Sequence, residues 1–157
     1  MAEDIKNLSM SIVVDDGSRR VPIQNTDGEE IGSFRFHPTD VGIIKRYNAV
    51  AERFDEIARP LEGLGEDGVT EAEYAEALDA AAGRMYAAVD ELLGSDGAAA
   101  AFFGKMNPFS PVDGEFYCTR VLNALGAYIG AAFETETAKF SANAQKYANR
   151  ATRRGKK

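Results

Sequence analysis

Three stretches of this chain repeat apolar residues at steps of three and four, and no feature restricts the fold more. That spacing makes helices with one apolar face, which must pack on one another to leave water. The first stretch runs Ile44, Tyr47, Ala51, Phe54, Ala58, Leu61 and the second Tyr74, Leu78, Ala81, Met85, Val89, Leu92. The third runs Cys118, Leu122, Leu125, Ile129, Phe133, Phe140, Tyr147. Each has terminal signals. Thr39 or Asp40 opens the first helix, and Pro60 with Gly63-Leu64-Gly65 closes it. Thr70-Glu71-Ala72-Glu73 fits a capping box for the second, which stops at Gly94. Asp113 is placed to cap a long third helix from about Gly114 to Arg150. A short apolar helix over Gly97–Gly104, capped by Ser95 or Asp96, precedes it.

Ahead of the helices, residues 9–36 read as strands. Met10, Ile12 and Val14 alternate with their neighbours; Val21 and Ile23 flank Pro22, which belongs on an edge because it has no N–H to donate; Ile31, Phe34 and Phe36 follow. Asp15-Asp16-Gly17-Ser18 and Asn25-Thr26-Asp27-Gly28 are turns between them, and the change of parity after Ile31 predicts an irregularity near Gly32. The expected fold is therefore α+β: an antiparallel meander of two or three strands packed on three main helices and one short one, the third helix long. At 157 residues the chain is expected to be one domain, with the meander over 9–36, the helical part over 39–150 and a basic flexible tail over 151–157.

The chain holds little material for chemistry. One cysteine, Cys118, excludes an internal disulfide and a multi-cysteine zinc site. Cys118 lies on an apolar stripe, where a small buried hydrophobe is expected. His37, the sole histidine, sits at a strand–helix junction and reads as a local hydrogen-bonding or packing residue. Aligning Glu73 with the last ligand of a calcium loop puts Leu64 at a ligand position and Asp67 where glycine is required, so Asp67–Glu73 reads as a turn and a cap. Carboxylates such as Asp55, Glu56, Asp90 and Glu91 fall on polar helix faces. No catalytic residue, metal ligand or cofactor motif is expected. No apolar run approaches the ~18 residues of a membrane span, and the acidic amino terminus lacks a secretory signal, so a cytoplasmic protein is expected.

Charge is divided unevenly. The net charge is −7, yet every acid lies at or before Glu136 and seven cations follow from Lys139: Lys139, Lys146, Arg150, Arg153, Arg154, Lys156 and Lys157. The first 138 residues, with 11 cations and 25 anions, carry −14. The basic end (Arg150, Arg153, Arg154, Lys156, Lys157) is either a solvated helix terminus or a docking tail for an acidic partner, for nucleic acid, or for the chain's own acidic body. Nucleic-acid binding as the main activity is not expected from so acidic a remainder. An aromatic cluster, Phe102, Phe103, Phe109, Phe116 and Tyr117, surrounds the proline-braced loop Asn107–Pro111. It either closes the end of the helical core or stays partly exposed as a protein-docking patch.

Two segments resemble a known family. Ile31-Gly32-Ser33-Phe34-Arg35-Phe36-His37-Pro38-Thr39-Asp40, leading to Lys45-Arg46-Tyr47-Asn48, is similar to a family of small phage and prophage proteins of long-tailed phages. So is Phe102-Phe103-Gly104-Lys105-Met106-Asn107-Pro108-Phe109-Ser110-Pro111, followed by Gly114 and Phe116-Tyr117. The resemblance spans roughly residues 20–147. In size and layout that family resembles tail assembly chaperones, acidic helical proteins that bind the tape-measure protein while the tail tube is built. The resemblance implies a non-enzymatic protein in the bacterial host's cytoplasm, with an apolar helical client such as the tape-measure or another tail protein, and a homo-oligomer as one form. It carries over no catalytic residue. Two further readings stand beside it: a structural virion component of the tail or head-completion kind, and a small phage regulator using the basic tail.

Overall fold

In the computed structural model, residues 10–62, 68–104 and 106–155 are described. The expected helix terminator Gly63-Leu64-Gly65, Asp67 of the rejected calcium loop, Lys105, Lys156 and Lys157 lie outside them. An antiparallel hairpin, β1 (Arg19–Gln24) and β2 (Glu30–Phe36), precedes α1 (Gly42–Ala58), a 3-10 turn (Arg59–Leu61), α2 (Glu71–Leu93) and α3 (Ala98–Phe103). A second, minimal hairpin, β3 (Pro111–Val112) and β4 (Glu115–Phe116), leads into α4 (Tyr117–Gly155). The α+β class with an amino-terminal hairpin and a long last helix is as the sequence pattern requires.

The hairpin has two strands, not three. Met10, Ile12, Val13 and Val14 have strand-like alternation but no ladder to join, and they stand 75–96% exposed. Asp15 and Asp16 accept the Gly17 and Ser18 N–H groups at 3.0 and 2.9 Å and turn the chain sharply before β1 begins. The second turn forms around Asn25, whose Oδ1 accepts from the N–H groups of Asp27 and Glu29, each at 3.0 Å. The expected irregularity is present: Ile23 faces Gly32 while Gln24 faces Glu30, leaving Ile31 as the extra residue. Pro22 stands on the edge strand β1, as it must. Past Gly32, Phe34 and Phe36 share the inner face, their rings 5.0 Å apart, and reach Phe102 of α3 at 5.1 Å and Tyr128 of α4 at 6.0 Å.

The helices pack through faces rotated slightly from the stripes the spacing suggests. On α1 the buried residues are Ile43, Val50 and Ile57, with Tyr47 and Phe54 partly buried, while Ile44 is half exposed and Ala51 exposed. Counting from Ile44 picked the wrong edge of an apolar pair; the neighbouring Ile43 is the core residue. Pro60 stops α1 because it has no N–H for the next helical bond. In α2, Thr70 Oγ1 accepts the Glu73 N–H at 3.2 Å, and the helix ends on Gly94 in the left-handed region at φ 63°. Arg46 of α1 donates from Nε to the Leu92 carbonyl at 3.0 Å, placing a cation on the negative end of α2.

Two expected caps are replaced. Neither Ser95 nor Asp96 caps α3; Asp90, expected on a solvated face, accepts the Ala99 N–H at 2.8 Å. Asp113 does not cap the last helix. Asp113 and Gly114, at φ 51° and 85°, form the two-residue turn of the β3–β4 hairpin, and α4 starts three residues later than expected. That helix continues past Arg150 to Gly155, because Ala151–Arg154 contains no breaker. Residues 151–155, assigned above to a flexible tail, are helical. At 1.5 Å per residue α4 is about 58 Å long. Its packed part ends near Phe133; beyond Glu136 every described side chain is exposed. Among the described residues no helix is long and apolar enough to cross a membrane.

Two glycines of α4 make opposite predictions. A Cβ on Gly126 would stand 2.6 Å from the Tyr47 hydroxyl, whereas one on Gly130 would meet nothing within 4 Å. Gly130→Ala is expected to stabilise the protein by about 0.5–1 kcal/mol, and Gly126→Ala to destabilise it by displacing the Tyr47 ring. Thermal melts of the two variants check the sign.

Candidate functional site

The aromatic cluster marked by the sequence is mostly interior. Phe102, Phe103 and Phe109 are at most 9% exposed, Tyr117 is half-buried, and Phe116 alone keeps 37% of its surface in water. The rings interlock: Phe103 lies 5.2 Å from Tyr86 and 5.8 Å from Tyr117, and Phe109 lies 5.2 Å from Phe116. The tyrosine hydroxyls finish the job that capping residues would do. Tyr117 donates to the Phe102 carbonyl at 2.8 Å and Tyr86 to that of Gly104 at 3.2 Å, satisfying carbonyls at the end of α3. Burial also raises the Tyr117 phenol above its ordinary range. Of the five residues, only Phe116 and the rim of Tyr117 are within reach of a partner.

The chemically versatile residues are also committed. Cys118 is fully buried, its N–H donating to the Pro108 carbonyl at 2.8 Å, and desolvation pushes its thiol up to about 11. Little thiolate exists at neutral pH in that state. His37 Nε2 lies 3.0 Å from Asp16 Oδ2 in a shallow open hollow shared with Thr39 and Asp40. The acids there each hold backbone. The Ser18 N–H, then His37, keep the Asp16 carboxyl well below the usual range. Asp40 is lowered by the Gly42 N–H and then by Arg46, and Asp15 by the Gly17 N–H and then by Arg19. The group is a surface latch that fixes the approach to β1 against the β2–α1 junction. Because its folded pKa is depressed, the Asp16 contribution is complete above the ordinary carboxyl range near ~3.9 and is lost only as pH falls through the lower folded value. Asp16→Asn is expected to remove that acid sensitivity and to speed exchange of the Ser18 amide, read by hydrogen exchange as the pH is lowered from about 5 to about 2, across the window in which the depressed carboxyl titrates. Among the described residues no group of three His, Cys, Asp or Glu side chains could hold a metal ion.

What the fold does build, and the sequence did not single out, is an apolar groove between α1 and α4. Tyr47, Ala51 and Phe54 form one wall, Thr119, Leu122 and Asn123 the other, around a volume of about 150 Å³. Tyr47 fixes its floor by donating to the Leu122 carbonyl at 2.9 Å, in the notch that Gly126 leaves open. A space of this size holds about one benzene ring and falls short of the ~300 Å³ at which small-molecule sites begin. It suits one apolar side chain of a polypeptide. The signal was in the stripes: Tyr47, Phe54 and Leu122 belong to them, and each is only partly covered. Comparison with protein-family models, curated proteins and solved structures gives no match for this chain.

Proposed function

We propose that this protein is a non-enzymatic assembly chaperone of the phage-tail kind, which holds an apolar helical client, such as a tape-measure protein, in the host cytoplasm. The observation that carries the reading is the α1–α4 groove, whose walls are Tyr47, Ala51, Phe54 and Leu122. An amphipathic client helix laid along it would place an apolar anchor between the two helices, with Thr119 and Asn123 at the rim. The acidic body supports the same reading, since −14 over the first 138 residues keeps a complex with a greasy client in solution. The resemblance of residues 20–147 to small phage and prophage proteins points the same way.

Co-expression with fragments of a long, helical tape-measure protein tests it. The expected result is that fragments insoluble alone become soluble and co-purify with this chain. Fragments whose solubility is unchanged by its presence would overturn the reading.

A further inference from the structure

The last third of α4 leaves the body with one face apolar and one basic. Phe140 is 75% exposed, and Lys139, Lys146 and Arg150, also exposed, repeat at steps of seven and four along one side of the helix, about a quarter turn from it. Because α4 is continuous from the core to Gly155, this segment projects about 28 Å and does not fold back onto its own acidic body. A lone helix of this length gains little in water without a packing partner.

The complementary surface is on the outer side of α1. Val41 and Ile44 are 77% and 50% exposed over a broad hollow of about 540 Å³, with Lys45, Asn48, Ala49 and Glu52 around it. Further along the same face stand the exposed Asp55 and Glu56. This face is apolar first and acidic later; the projecting helix is apolar first, at Phe140, and increasingly basic later. From Ile44 to Asp55 is 11 residues and from Phe140 to Arg150 is ten, both about 15–17 Å along a helix axis. Laid parallel with Phe140 on Ile44, the two match greasy to greasy and bring Lys146 and Arg150 level with Glu52, Asp55 and Glu56, while Lys139 comes level with Lys45, one like-charge pair against the two favourable cations.

We infer that the occupant of this face is a second copy of the chain, the projecting end of α4 from one copy lying along α1 of another. Lys45 stands at the apolar end of the face, away from the acids that receive Lys146 and Arg150. Exchange between two copies closes a dimer; a one-way contact gives longer chains. The inference is independent of the client groove, which lies on the adjoining side of α1.

Sedimentation velocity on the full chain tests it at ~50 mM and ~500 mM salt, since pairs this exposed are strongly screened at the higher value. At low salt the mass is expected to be at least twice 17.0 kDa, falling toward the monomer at high salt. Lys146→Glu/Arg150→Glu is expected to weaken association about tenfold or more, and Phe140→Ser similarly, with helicity unchanged by circular dichroism. Adding Glu52→Lys and Glu56→Lys to the charge-reversed tail is expected to restore association. A monomer at low salt and high concentration would overturn the inference and assign the helix to a different kind of partner. So would an oligomer indifferent to these tail substitutions, or a fourfold variant that stays as weak as the double one.

Discussion

Phe103→Ala is expected to cost about 3–5 kcal/mol, the largest loss of any single substitution in the aromatic cluster. The residue is 3% exposed, and its ring is wedged between Tyr86 and Tyr117. Those two tyrosines also hold the carbonyls at the end of α3, so the void left by Phe103 frees the groups that keep the Gly104 and Phe102 carbonyls satisfied. Phe116→Ala is the paired measurement. Its ring touches Phe109 from one side and water from the other, and its loss is expected to cost about 1 kcal/mol. Urea denaturation of both variants, read at constant slope, gives the two values. Equal costs would show that the cluster is not organised around Phe103.

Gly32→Ala is expected to cost about 2–3 kcal/mol through a different mechanism, overpacking. A Cβ at that position would lie 2.5 Å from the Ala101 carbonyl oxygen and 3.2 Å from its carbon and Cα, all backbone atoms. Neither side can yield easily. Ala98, Ala99, Phe102 and Phe103 bury α3 on most of its circumference, and Phe34 and Phe36 fix the hairpin two and four residues further on. The hairpin must therefore lift from α3, and amide exchange in β1 and β2 should accelerate more than exchange in α2. A variant as stable as the parent, with unchanged exchange in the hairpin, would contradict the close approach.

How much of this was legible in the sequence depends on whether the signal is local. The ends of α2 are legible because Thr70 and Gly94 are local signals, and Ala81, Met85, Val89 and Leu92 are core as the spacing requires. Tyr74, at the start of the stripe, is instead 46% exposed, and the buried Ala88 and Leu93 lie beside the stripe. The bulge beside Gly32 was likewise visible as a change in strand parity. Asp113-Gly114 was a local signal read the wrong way: the pair suits a two-residue hairpin turn, yet a helix followed so closely that the aspartate looked like its cap. The cap of α3 lay beyond such reading, since Asp90 reaches it from nine residues away, on another helix. Met10–Val14 shows that alternation without a partner strand makes no sheet. The α1–α4 groove was half legible. Its walls were counted as core, but only packing decides that Tyr47, Phe54 and Leu122 stay partly open rather than closing on each other.

The reading as a whole rests on the groove as a seat for a client side chain. Its most direct test is the affinity of the purified chain for a client helix, titrated by calorimetry with and without Ala51→Glu. Ala51 is exposed on α1, so the substitution leaves the fold intact while setting a carboxylate against the apolar wall. Loss of at least about tenfold in affinity, with an unchanged melting temperature, is the expected outcome. Undiminished binding by the Ala51→Glu chain would contradict the account.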